Sequence, residues 1–260
     1  GGIGGTGHQS RGGIGGTGWR VVDSDGESQL VGVITGFASI CVNGVEVQYD
    51  QDTPIENNGE PSSAETLNIG QVVSVSASGR GQEVKAQKIS VIHELVGPIS
   101  HIDLSKNQMK VMGKTVDISN ALNRGLKFNI GDQIQVSGMD KANGVIHATR
   151  LDKVTPNSPS LVTGVPDKQG KISGIVVQGI TGGATQTIQV KGDWNGQALK
   201  IREIKPIAIM PILKSGSAFH VQGYATSIGA NKFLINGSEI NFSNNNLSHQ
   251  SYDADKVMII

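Results

Sequence analysis

Few residues in this 260-residue chain have the types and spacing for chemistry. Asp23-Ser24-Asp25-Gly26-Glu27 sets three carboxylates, Asp23, Asp25 and Glu27, at alternate positions, as at the start of a calcium loop. An EF-hand loop needs a carboxylate at its twelfth position, and Ile34 stands there. The segment reads as a polar turn, with a weak external calcium site as the alternative. The histidines are His8, His93, His101, His147, His220 and His249; no two have zinc-motif spacing, and the single cysteine, Cys41, cannot form a Cys-x-x-Cys. His93 and His101 flank a repeat boundary, where two imidazoles could meet on a metal. Asp50 and Asp52 could pair for acid–base work, but nothing else in the sequence converges on them. No G-x-S-x-G nucleophile elbow is present. The expectation is a chain that is not an enzyme and has no cofactor.

Gly2-Ile3-Gly4-Gly5-Thr6-Gly7 and Gly13-Ile14-Gly15-Gly16-Thr17-Gly18 both spell G-x-G-x-x-G. A dinucleotide site needs a strand before that motif and a helix after it, and neither is predicted. The motif sits instead in a duplication, Gly1–Gly7 recurring as Gly12–Gly18. Such a tract offers little apolar area against a large backbone entropy cost, so alone it should be a flexible tail. Added as a strand to the sheet edge of a second copy, it would find partners for its amides. Ile3 and Ile14 would then enter apolar pockets, Thr6 and Thr17 would lie along the strand, and Trp19 would anchor the exit.

Elements around these residues are predicted to be short strands. Glycine occurs 36 times, about twice the usual share. Charged residues are 17% and aromatics 4%, which leaves little material for solvated helix faces. Lys plus Arg and Asp plus Glu are 22 each; that balance argues against nucleic acid as a partner and permits self-association. No apolar run of about 18 residues exists to span a membrane as a helix. Cys41, in Ser39-Ile40-Cys41-Val42, reads as a small buried hydrophobe. The Gly start, sparse cysteine and abundant Ser, Thr, Asn and Gly suggest an exported bacterial protein, extracellular or at the cell surface, whose leader has been removed.

A strand grammar repeats. Ile40 to Val47 reads strand, Asn43-Gly44 turn, strand, the turn suiting a type I′ hairpin. Asn68-Ile69-Gly70-Gln71-Val72-Val73 returns as Asn129-Ile130-Gly131-Asp132-Gln133-Ile134, and Val72 and Ile134 are expected to occupy one place in two copies. The predicted division is a tail at 1–22, unit one at 23–94, unit two at 95–155, a Pro-containing linker at 156–163 and a divergent unit three at 164–222. Residues 223–260 are a partial fourth unit or the completion of the third, with Asn236-Gly237 echoing the first turn. Prolines at 206 and 211 argue against a central strand through Ile204–Leu213. Trp19 and Trp194 could form a sugar platform, packing anchors being the alternative; Arg80 adds one isolated charge.

The run Gly-x-Ile, Val-x-Gly-x-x-Val, Ile-Gly-Asp-x-Ile-x-Val-Ser-Gly and Ala-x-x-Ile resembles the bacterial domain-of-unknown-function family 5666 over residues 31–154, weakly over 164–222 and partly over 223–260. That resemblance implies an exported, all-β protein of tandem small antiparallel barrels, and carries no functional residues. The function expected from repeats, charge balance and tail is an extracellular structural subunit of a fibre, matrix or surface assembly. Its partners would be copies of itself, joined through Ile3, Thr6, Ile14, Thr17 and Trp19, or cell-surface and matrix components. An envelope binding module for a glycan, peptide or metal ion is the alternative.

Overall fold

A computed structural model describes residues 26–37, 39–141, 144–182, 186–207, 218–229 and 232–235, and the backbone of strands at 238–241, 249–253 and 256–259. The connector residues Ile3, Thr6, Ile14, Thr17 and Trp19, both G-x-G-x-x-G tracts, Asp23, Asp25 and the Asn236-Gly237 turn lie outside them.

The fold is all-β. Unit one contains β1 (Glu27–Phe37), β2 (Ile40–Val42), β3 (Val45–Gln48), β4 (Ile55–Asn57), β5 (Glu60–Ser62), β6 (Val72–Ser78) and β7 (Glu83–Ile92). Apolar residues alternate with polar ones along β3, so Val45 and Val47 point inward and Glu46 outward. The first part of β1 pairs with β6 and its last part with β2, with a bulge between Ile34 and Gly36 that bends the strand. β2 pairs with β3, β3 runs parallel to β7, and β7 returns to β6. The ring is closed, a five-stranded Greek-key barrel of the OB type, with the β4–β5 hairpin attached to β7.

Unit two contains β8 (Leu95–Asp103), β9 (Gln108–Val111), β10 (Lys114–Asp117), β11 (Gln133–Asp140) and β12 (Ile146–Lys153), closed in the same order. The repeated turns are superposable in their bonding. Gly70 N–H donates to Ile34 O and Gly131 N–H to Ile99 O, each at 2.8 Å, while Asn68 N–H donates to Gln71 Oε1 and Asn129 N–H to Asp132 Oδ2. The pairing corrects one detail: Val73, across from Gly32, is the counterpart of Ile134, across from Gly97. Val72 corresponds to Gln133.

Unit three repeats the order with β13 (Ser160–Gly164), β14 (Lys171–Ile172), β15 (Ile175–Gln178), β16 (Ile188–Trp194) and β17 (Leu199–Pro206). A bridge between Pro166 and Ile172 joins its first strand to β14. β13 therefore occupies part of the stretch predicted as linker. Against expectation, Ile204 and Lys205 continue β17; Pro206 is its last residue, beyond the part of β17 that pairs with β15. Unit four contains β18 (Ala218–Gly229), β19 (Lys232–Ile235), β20 (Ser238–Asn241), β21 (His249–Asp253) and β22 (Lys256–Ile259), in the sheet order β20-β19-β18-β22-β21.

In the first three units the hairpin after the second strand has left-handed backbone at both turn residues: Asn43 and Gly44 (φ 55 and 77°), Met112 and Gly113 (50 and 79°), Ser173 and Gly174 (51 and 81°). The first residue of each turn folds over a glycine of the first strand, where a Cβ on Gly32 or Gly97 would strike Asn43 or Met112. Gly44 has open space around it, so Gly44→Val tests backbone conformation alone. It is expected to lower stability by about 1 kcal/mol or more. Unchanged thermal unfolding would show the turn to be of another type.

Cys41 is half-buried on the outer side of β2, while Ile40 and Val42 fill the core. A two-residue period sends only alternate side chains inward, and the larger Ile and Val hold that phase.

The units pack around one another. β1 runs parallel to β18, and β8 pairs with β13. One apolar core runs through units two and three; Val31, Ile92, Val221 and Ile235 form another between units one and four. Val33, Val72 and Met139 meet beside Tyr224, where units one, two and four converge. No helix among the described residues is long and apolar enough to cross a membrane.

Candidate functional site

A cleft of about 540 Å³ opens where units two, three and four meet. Unit two supplies Glu94, just before β8, Lys114 at the start of β10 and Asp140 at the end of β11. Unit three supplies Asp167 and Lys171, and unit four Tyr224 and Leu234.

Lys114 is 6% exposed and its Nζ lies 3.0 Å from Asp140 Oδ2. Asp140 Oδ1 is buried and accepts no hydrogen bond from the described residues. Burial first, then the Asp140 carboxylate, push the Glu94 carboxyl up to about 8 against the pull of Lys114. A perturbed carboxyl in a cleft beside an ion pair is the physical mark of a candidate site. Asp167 is held in a tight turn, its Oδ1 accepting from the N–H groups of Gln169 and Lys171. Behind the cleft the His147 and Tyr224 rings lie 5.0 Å apart, and His147 Nδ1 is 3.1 Å from Asp117 Oδ2.

A second polar centre, just before β8, ties unit one to unit three. Asn58 Oδ1 accepts from His93 N–H at 3.0 Å and Gln189 Nε2 at 3.3 Å, and lies 3.2 Å from His93 Nδ1. Thr163 Oγ1 donates to His93 O. Burial, reinforced by Arg150 and opposed by Asp152, lowers His93 to about 4. A neutral, fully enclosed imidazole here is structural.

The two perturbed groups titrate in opposite senses. In the fold Glu94 keeps its proton to about pH 8, whereas in the unfolded chain it ionises near 4.5, so its contribution to stability falls as pH rises between those values. His93 stays neutral in the fold down to about 4, against 6.5 unfolded, so its contribution falls as pH drops through that range. The slopes oppose below 6.5, and a decline shows between 6.5 and 8. Glu94→Gln, which cannot ionise, is expected to match the parent near pH 4 and exceed it at pH 8 by roughly 2 kcal/mol, allowing for partial exposure. Chemical denaturation at both pH values measures this; identical pH curves for the two proteins would count against the buried proton.

Other sequence candidates are placed as follows. Glu27 is half-buried at the start of β1, across from Ser78. His93 is buried and His101 exposed. Asp50 caps a turn, accepting from Asp52 N–H and Thr53 Oγ1 and pairing with Lys85 at 3.1 Å. Trp194 packs against the core of units two and three. Arg80 lies over Gly26. Among the described residues no group of three or more His, Cys, Asp and Glu is placed to hold a metal.

Residues 31–90 and 96–152 each match the family model DUF5666, a domain of unknown function. Units one and two are tandem DUF5666 repeats. No curated protein and no solved structure matches the chain. The matched segments meet at the buried His93, and the third barrel continues the DUF5666 strand order beyond them. Within the two repeats the cleft pair is particular to the second. By the Asn-Ile-Gly register and the hairpin turn, Lys114 corresponds to Val45 and Asp140 to Gly79 of the first DUF5666 repeat.

Proposed function

We propose that this chain is a non-enzymatic, exported binding protein whose interlocked barrels form a rigid scaffold around one ligand cleft. The observation that carries the reading is convergence. Glu94, Lys114 and Asp140 of one barrel meet Asp167 and Lys171 of the next and Tyr224 of the fourth unit at a single concavity. Ligand sites favour such junctions, where a few fixed polar groups face a partly apolar wall. A ligand held there binds only the folded array and must raise its melting temperature. Screening sugars, short peptides, phosphates and metal chlorides by thermal shift is expected to give a hit that Lys114→Met abolishes. A hit insensitive to every cleft substitution would place binding elsewhere and overturn the reading. Self-association through residues 1–22 is compatible with this scaffold, since the tail and the cleft are separate parts of the chain. It predicts assemblies that disappear when residues 1–18 are deleted, read by light scattering.

A further inference from the structure

Resting on the binding reading above, we infer that the cleft takes a polyhydroxylated ligand, the end of a saccharide, with Lys114 and Asp140 holding two neighbouring hydroxyls.

Charge excludes the simpler ligands. Glu94 keeps its proton at neutral pH, so Asp140 and Asp167 face Lys114, Lys141 and Lys171, and both signs line the cleft with one positive charge in excess. Such a lining offers no single-sign field to concentrate a phosphate or a metal cation. What it offers is an adjacent acceptor and donor. Asp140 Oδ1 has no donor among the described residues and is closed to solvent, so the carboxylate, 29% exposed as a side chain, offers its other oxygen to the cleft. Beside it, Lys114 Nζ has three N–H donors, of which one is committed to Asp140 Oδ2. A vicinal diol matches both, because one hydroxyl donates to the carboxylate oxygen while its neighbour accepts from the ammonium. Thr115 and Ser173 add hydroxyl groups to the lining, and Leu234, beside the Tyr224 ring over which Lys141 Nζ lies at 5.6 Å, gives an apolar wall for the C–H face of a sugar ring. The Lys114–Asp140 bond fixes the geometry before a ligand arrives, so little ordering cost is left to binding.

The test uses the full chain. A broad glycan array is followed by NMR titration with cellobiose, maltose and N,N′-diacetylchitobiose; trialanine, sodium phosphate and calcium chloride are the counter-probes. The expected result is saturable binding of a saccharide that shifts resonances of Lys114, Asp140 and Tyr224. Asp140→Ala should weaken it about tenfold or more, because the hydrogen bonds lost are to a charged group, and Asp50→Ala should leave it unchanged. The shift map of the parent protein locates the site even where Asp140→Ala folds poorly. If trialanine, phosphate or calcium shifts the cleft resonances and no saccharide does, the saccharide inference is overturned and the binding reading stands. If no probe or array glycan shifts the cleft, both are overturned. Slow cleavage of a bound saccharide would support the ligand class and overturn the non-enzymatic part of the reading.

Discussion

Arg150→Ala is expected to destabilise the protein by about 3–5 kcal/mol, the usual result of removing one partner of a buried ion pair. Arg150 is 4% exposed on β12, and its Nε and Nη2 each lie 2.6 Å from an oxygen of Asp152, two residues along the same strand face. Its Nη1 donates to Ile69 O of unit one at 3.0 Å. Removing the guanidinium strands a carboxylate at 19% exposure and a backbone carbonyl, and opens the junction between the two repeats. Because that junction is also held by Thr149 Oγ1 donating to Gly70 O, the folded barrels should persist while their coupling weakens. Denaturant titration should therefore show a lower midpoint and a transition that splits in two. The double variant Arg150→Met, Asp152→Leu should regain part of the loss, since replacing a whole buried pair by apolar groups is far cheaper than halving it. A loss under about 1 kcal/mol for Arg150→Ala would mean that water reaches Asp152 and that the pair is effectively exposed.

Gly192→Ala is expected to cost about 3 kcal/mol or more, at the upper end of overpacking. Gly192 follows the bulge that brings β16 against β17, and an added Cβ would stand 2.0 Å from Lys200 O and 2.9 Å from its carbonyl carbon. Backbone, unlike a side-chain end, cannot swing aside without breaking the ladder that closes unit three. Unit two has Gly138 at its bulge, with His147 O at 2.4 Å, whereas unit one has a buried Ala77. The demand is thus set by how near the opposite strand approaches, not by the bulge as such. Gly196→Ala, at positive φ with open space, is the control and should cost about 1 kcal/mol. Equal losses for the two substitutions, measured by equilibrium denaturation, would sink the steric account.

Local chemistry carried what could be read in advance. Asn43-Gly44 names its own turn, and Asn68–Gln71 and Asn129–Asp132 name theirs, because each is satisfied by its neighbours in sequence and one strand across. Barrel order was not legible, since the parallel pairing of β3 with β7 joins Val47 to Val84 with no local signal. Cys41 was misassigned for the opposite reason: its neighbours are apolar on both sides, so the phase of the alternation is invisible in a three-residue strand. The candidate site escaped altogether. Glu94, Lys114, Asp140 and Tyr224 lie on separate elements, each unremarkable where it stands, and only the packing of three units brings them to one cleft. Arg150 shows the same limit, because in sequence it is one more charged residue at an outward strand position, and unit one is what covers it.

The parallel contact between β1 and β18, Ser28 to Val31 against Ala218 to Val221, joins the first barrel to the fourth unit. Tension applied at the amino-terminal side of β1 and the carboxyl-terminal side of β18 would draw these two strands past each other lengthwise. Their hydrogen bonds would then be loaded together, as in a lap joint, rather than peeled one at a time. Until that joint slips, the three barrels strung between the strands are shielded from the pull. Under a force that stretches the flanking chain, the part of the cleft built by units two and three, with Lys114, Asp140, Asp167 and Lys171, would keep its shape.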